Sequence, residues 1–181
     1  PITGRPGGMI LCAIALDPTH THALHLFGIV AYQIGDLEDA AALIGRATAL
    51  DPNFADAFTN LGTVLQAQGK HDAAKTALER AAELAPQTAV IHFNLGNLLA
   101  EMGRLNEARD AYDKAIALQP TYPVAHSNRG IVLRDLDDLA GATAAFTKAV
   151  EQDPAYAEAH YNLANCYRDL GRLTDAEKEI R

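Results

Sequence analysis

The sequence predicts an all-α solenoid of antiparallel helix pairs, and three observations lead to this prediction. Prolines recur every 34 residues, at Pro18, Pro52, Pro86, Pro120 and Pro154. Small residues recur with the same period. Alanine is abundant and runs of β-branched residues are absent, which favours helices over strands. Self-similarity at a fixed period of this length is typical of repeat architectures.

Three sets of small or turn-forming residues share the period of the prolines. One is an alanine series: Ala40, Ala74, Ala108, Ala142 and Ala176. The second is Gly28, Gly62, Gly96 and Gly130, continued by Ala164. The third is Gly35, Gly69, Gly103 and Gly171, with Asp137 in the remaining place. Four series in one register make the repeat a specific signal.

Each period contains a helix A and a helix B when repeats are numbered from Thr21, Ala55, Ala89, Pro123 and Ala157. We expect helix A to occupy about the first 14 positions. The glycine at position 15 can adopt a left-handed conformation and end that helix. The proline at position 32 ends helix B. Small residues at positions 8 and 20 let the two helices approach closely, with larger apolar residues at position 24.

This unit resembles the tetratricopeptide repeat (TPR), which has small residues at positions 8, 20 and 27 and proline at position 32. The resemblance covers about residues 10–181 and implies a right-handed superhelix whose concave groove is lined by A helices. One departure is position 4, often tryptophan in the family, which here holds Leu24, Phe58, His92, His126 and His160. The other is Arg129 at the usually apolar position 7. The predicted organisation is a disordered lead at 1–8 and a single solenoid over 9–181. Its parts are a partial repeat 9–20, repeats 21–54, 55–88, 89–122 and 123–156, and a partial repeat 157–181.

Neither end of the sequence carries a polar capping helix, which solenoids normally need for solubility. This predicts either a fragment of a longer protein or ends that stack on neighbouring molecules.

Composition narrows the classes of partner. The chain has 181 residues, 49% of them hydrophobic, and a formal charge of −8. The negative charge argues against nucleic acid or an anionic membrane as the partner. No apolar run reaches the roughly 20 residues of a membrane span. Cys12 and Cys166 form no motif and fit free thiols in a reducing compartment, so we expect a cytoplasmic protein.

Asparagines recur on one face of helix A. A helix advances about 100° per residue, so positions 4, 7, 8 and 11 share the face packed on helix B. Positions 2, 5, 6, 9 and 13 lie opposite and are expected to line the groove. The predicted peptide-binding residues are Asn60, Thr63, Asn94, Asn97, Asn128, Asn162 and Asn165, together with Phe93 and Tyr161.

The asparagine ladder has two interpretations. Amides can simply bond a neighbouring repeat, as they commonly do in TPRs. They can also pair with the backbone of an extended peptide, because each offers donors and an acceptor. The ladder resembles that in the superhelix of O-linked N-acetylglucosamine transferases. The first full repeat also resembles repeats of bacterial TPR proteins that carry such glycosyltransferase-like domains.

Other functions find little support in the residues. The A helices carry no lysine at positions 2 and 5, where chaperone-binding TPRs hold a carboxylate clamp. His22 and His25 have a spacing that can serve a metal, but no carboxylate or cysteine accompanies them. No catalytic motif appears, so we predict no catalytic residues, no metal and no cofactor.

The sequence thus predicts a scaffold that binds a protein or peptide in its groove and is not itself an enzyme. Two alternatives stay open. One is the substrate-recognition region of a larger enzyme, such as a glycosyltransferase. The other is a solenoid that self-associates through its uncapped ends.

Overall fold

A computed structural model describes residues 19–179, and these residues form helices joined by short turns. The predicted lead at 1–8 and most of the partial repeat 9–20 lie outside the described residues, as do Ile180 and Arg181. No strand occurs between residues 19 and 179.

The described helices alternate between A and B types. The A helices are α1 (Thr21–Gln33), α3 (Ala55–Ala67), α5 (Ala89–Glu101), α7 (Pro123–Asp135) and α9 (Ala157–Asp169). The B helices are α2 (Leu37–Leu50), α4 (His71–Leu84), α6 (Leu105–Leu118), α8 (Leu139–Gln152) and α10 (Leu173–Glu179). The A helices therefore begin at the first position of each predicted repeat and end one residue before the predicted end.

The chain divides into two compact units, one ending at Pro86 and one beginning at Gln87. In the first unit α1 packs on α2, α2 on α3, and α3 on α4. In the second unit each helix from α5 to α10 packs on the next, and α5 also contacts α7.

The turn after every A helix has the predicted left-handed residue. Gly35, Gly69, Gly103 and Gly171 have φ between 72° and 84°, and Asp137 adopts 63° in the same place. The next residue donates its N–H to a carbonyl five residues back, for example from Asp138 to Leu133 at 2.9 Å. This is the Schellman arrangement, which satisfies carbonyls that the helix end leaves free.

The small residue at position 8 permits close contact within each helix pair. A β-carbon placed on Gly62 would lie 2.6 Å from Cγ of Leu78, whose side chain is fully buried. One placed on Gly96 would lie 2.7 Å from the ring of Tyr112, and one on Gly130 would lie 2.7 Å from the ring of Phe146. The core between these helices therefore contains the large side chain of position 24, packed against buried alanines and further buried apolar side chains.

The proline that ends helix B also provides a hydrogen-bond acceptor. His126 Nε2 lies 3.2 Å from the carbonyl oxygen of Pro120, and His160 Nε2 lies 3.1 Å from that of Pro154. Gln152 Nε2 donates to the Pro120 carbonyl as well, at 2.8 Å. His126 and His160, both at position 4, therefore bond to the turn that precedes their helices, which gives a physical reason for their place there.

The glycine at position 8 can be tested by substitution with alanine. Gly62→Ala should lower the free energy of unfolding by about 1–3 kcal/mol, because overpacking at Leu78 outweighs the gain in helix propensity. Gly45→Ala, in the same unit, meets no atom within 4 Å and should raise it by about 0.5–1 kcal/mol. Urea denaturation followed by circular dichroism measures both. A Gly62→Ala protein as stable as Gly45→Ala would contradict the close contact.

At Asp137 the informative substitution introduces a glycine instead of removing one. Glycine removes the steric cost of a positive φ and also removes a negative charge near the carboxyl end of α7. Asp137→Gly should therefore stabilise the protein by about 0.5–1 kcal/mol, measured as the urea midpoint. Gly103→Ala, at the equivalent turn with φ of 72°, is the matched control and should destabilise it. Changes of the same sign in both variants would refute the explanation.

Candidate functional site

The predicted asparagines at position 6 bond to the A helix of the preceding repeat in three cases. Asn60 Nδ2 lies 2.7 Å from Nε2 of His25. Asn128 Nδ2 donates to Oδ1 of Asn97 at 2.9 Å. Asn162 accepts a longer bond of 3.4 Å from Nη1 of Arg134. These amides therefore connect neighbouring A helices, as the structural interpretation of the ladder requires.

The predicted residues differ in how far they reach solvent. Asn162 is 7% exposed, whereas Tyr161 beside it is 66% exposed. The remaining predicted residues are half-buried: Asn60, Thr63, Phe93, Asn94, Asn97, Asn128 and Asn165. Thr63 donates its hydroxyl to the carbonyl of Thr59 at 3.2 Å within its own helix. Thr63 and Asn162 are thus largely engaged within the protein.

Position 5 corrects the simple helical wheel. The wheel places it on the open side, but His25, Thr59 and Ser127 are at most 8% exposed. Phe54 packs on His25, with ring centroids 4.7 Å apart. A wheel considers one helix alone, whereas in this fold the residues next to the open side also pack on the adjacent repeat. Phe93 and Tyr161 are the position-5 side chains that retain more exposure.

Asn97 lies at the centre of a hydrogen-bond network in the second unit. Its Oδ1 accepts from the hydroxyl of Tyr112 at 2.7 Å and from Nδ2 of Asn128 at 2.9 Å. Burial raises the pKa of Tyr112 to about 12, so the phenol is protonated at neutral pH and acts as the donor. Two donors therefore fix which end of the Asn97 amide is oxygen.

The same network leaves two polar atoms available. Within the described part of the chain no hydrogen bond occupies Nδ2 of Asn97 or Oδ1 of Asn128. Neither belongs to the buried side-chain atoms that lack a partner. An unused donor on α5 and an unused acceptor on α7 thus remain, on two amides that a hydrogen bond joins. Tyr112, which completes this arrangement, occupies position 24, where the sequence predicts only a large apolar core residue.

Aromatic side chains lie beside the network. The ring of Phe93 is 5.0 Å from that of Tyr122 and 6.0 Å from that of Tyr112. Phe93, a predicted site residue, consequently packs against Tyr112, one of the two residues that orient Asn97.

Histidines of the first repeat are explained by packing contacts. His22 and His25 both contact Phe54, with ring centroids 4.8 and 4.7 Å away. No group of three or more histidine, cysteine, aspartate or glutamate side chains in residues 19–179 is arranged to hold a metal ion. Within the same residues, no helix is both long enough and apolar enough to cross a bilayer.

Three regions of the chain match family models of the tetratricopeptide repeat. Residues 28–69 match a model described as TPR repeat, and residues 53–121 and 133–181 match two described as tetratricopeptide repeat. The chain belongs to the tetratricopeptide-repeat family. No curated protein sequence matches it.

Solved structures share the fold. A crystal structure of MamA superposes with a TM-score of 0.80 at 24% identity, covering 84% of this chain and 90% of that one. YrrB, titled a TPR protein with an unusual peptide-binding site, gives 0.76 at 24% identity, covering 94% and 88%. PilF of Pseudomonas aeruginosa gives 0.81 at 23% identity, covering 90% and 74%. The predicted fold class, an all-α TPR solenoid, is confirmed.

The burial of His25 predicts a pH dependence of stability. Burial lowers the pKa of His25 below 6.5, with His22 acting in the same direction and Asp56 against it. The unfolded chain therefore binds this proton more readily, so the free energy of unfolding should fall as pH falls from 6.5. His25→Gln should make this decline shallower in urea denaturation at several pH values.

Leu26→Gln, at an exposed neighbour that leaves His25 in place, is the control and should keep the full pH dependence. Parallel curves for the wild type and His25→Gln would show that His25 makes no such contribution.

Proposed function

We propose that the chain is a protein-interaction scaffold that binds an extended polypeptide along the open side of its A helices. The observation that carries this proposal is the Asn97–Asn128 pair. It presents one unoccupied donor and one unoccupied acceptor on neighbouring helices. In an extended chain the N–H and the C=O of one residue point to the same side, so that residue offers the complementary donor and acceptor.

Tyr112 supports the proposal because it determines the direction of the pair. An isolated asparagine can present either end of its amide to a ligand, so it has no preferred orientation. With Oδ1 of Asn97 accepting from both Tyr112 and Asn128, only its NH₂ group is turned outward. The amide is oriented before the ligand arrives, which reduces the entropy lost on binding.

The other predicted residues extend this surface within the second unit. Asn94 lies one turn before Asn97 on α5, and Asn165 and Tyr161 lie on α9. Asn165 lines an open cleft of about 200 Å³ with Arg168 and Leu173. In the first unit Asn60 bonds to a histidine, His25, and not to a second amide, and Thr63 donates its hydroxyl within its own helix, so we expect both to contribute less to binding.

The comparison with YrrB agrees with this proposal, since that TPR protein is described by its peptide-binding site. The glycosyltransferase and self-association alternatives, together with a cytoplasmic location, stay predictions from the sequence.

Substitution of the amides tests the function. Peptides selected from a displayed random library by the wild-type protein serve as ligands, and fluorescence anisotropy gives their affinity. Asn128→Ala and Asn97→Ala should each weaken binding about fivefold or more, the equivalent of roughly 1 kcal/mol for a lost hydrogen bond. Tyr112→Phe should weaken it less, because it frees the Asn97 amide to rotate without removing it.

Asn106→Ala provides the matched control, since Asn106 is an exposed asparagine on α6 and not on the open side. It should bind as the wild type does, and all variants should keep their helical circular dichroism. Failure to select any peptide, or equal affinity in Asn128→Ala and Asn106→Ala, would overturn the proposal.

A further inference from the structure

One position of helix A breaks the pattern of its repeat. Position 12 carries a long side chain in four repeats, namely Tyr32, Gln66, Arg134 and Arg168, but in the third repeat it is Ala100. In the structure this small residue borders an open cavity of about 240 Å³ between α5 and α7. A longer side chain at position 100 would extend from the wall of this space.

The cavity is lined by apolar and aromatic residues together with two amides. Its walls are formed by Ala100, Ile131, Val132 and Tyr112, with Asn97 and Asn128 beside them. Val132 and Tyr112 are each 2% exposed and therefore held in place by the core. None of the six lining residues is charged, so a charged group entering the cavity would lose its hydration without gaining a counter-ion.

The size of the cavity suits a single side chain. It is smaller than the roughly 300–1,000 Å³ typical of pockets for drug-sized ligands. It is larger than the apolar cavity of about 150 Å³ that accepts benzene in another protein. The unoccupied Asn97 Nδ2 and Asn128 Oδ1 belong to residues that line the same space, where they could hold the backbone of the residue whose side chain enters.

We infer that this cavity is a specificity pocket for an aliphatic side chain, leucine, isoleucine or valine, of the polypeptide bound in the proposed function. The backbone N–H and C=O of the residue that carries this side chain bond the Asn97–Asn128 pair, and the side chain contacts Ala100 and Ile131, the half-buried apolar residues of the lining. The amides alone select no sequence, because every residue has the same backbone. The pocket adds a preference at one position of the ligand.

The test uses a minimal probe, N-acetyl-leucine-N′-methylamide, which combines one leucine side chain with two peptide groups. Nuclear magnetic resonance follows the methyl signals of Ile131 and Val132 and the side-chain amide signals of Asn97 and Asn128. We expect saturable shifts with a millimolar dissociation constant, as suits so small a ligand. The alanine and aspartate analogues should bind at least about tenfold more weakly, because they bury less apolar surface or an unpaired charge.

Two variants and one control test whether the preference for leucine depends on the residues that line the cavity. Ala100→Gln introduces the side chain found at this position in the second repeat and should abolish the preference for leucine over alanine. Ile131→Asn introduces the residue that the third and fifth repeats carry at position 9 and should reduce that preference. Ala144→Gln makes the same chemical change as the first variant on the exposed face of α8 and should leave it unchanged.

The outcomes separate this inference from the proposed function. The absence of methyl shifts, equal affinity for the leucine and alanine probes, or an unchanged preference in both Ala100→Gln and Ile131→Asn would overturn the pocket. Selected peptides that still depend on Asn128 would then keep the proposed function. Methyl shifts without any shift of the Asn97 and Asn128 amides would instead support an aliphatic pocket and argue against backbone recognition.

Discussion

The contact between a small residue at position 8 and a large one at position 24 is the constraint on which the rest of this structure depends. Where Gly96 faces Tyr112, a β-carbon would lie 2.7 Å from the ring, so only glycine lets the two helices come this close. In other repeats the large side chain at position 24 ends in a carbon atom, as at Ile44, Leu78 and Phe146. In the third repeat the ring ends in a hydroxyl, which reaches Oδ1 of Asn97 at 2.7 Å. The candidate site is thus a consequence of how the core is packed.

The fold was predictable from sequence because its determinants are local and repeated. A positive φ is required after each A helix, and glycine or, at Asp137, aspartate supplies it. Proline ends each B helix by steric and hydrogen-bonding rules that hold wherever the residue occurs. The same glycine and proline positions recur in each repeat, so the first residue of every A helix can be predicted from the period. The hydrogen bonds of His126 and His160 were harder to predict, since each partner is the carbonyl of a proline six residues earlier.

The site was predictable only in part, because its properties depend on contacts between repeats. The helical wheel places the asparagines on the open side but cannot show that Asn162 is 7% exposed or that Asn60 bonds His25. It also cannot distinguish Tyr112 from Phe146, which occupy equivalent core positions. A signal for the cavity was nevertheless present in the sequence, since Ala100 is the one small residue at position 12 of the five A helices.

The structural and functional interpretations of the asparagine ladder are compatible once each amide's hydrogen-bonding capacity is counted. An amide has two donor hydrogens and an acceptor oxygen with two lone pairs. Asn97 uses both lone pairs inside the protein and keeps its donors, whereas Asn128 uses a donor and keeps its acceptor. In an extended ligand, a residue that bonds both amides must therefore turn its C=O towards Asn97 and its N–H towards Asn128. The bonds that connect the repeats would in this way also set the direction of a bound chain.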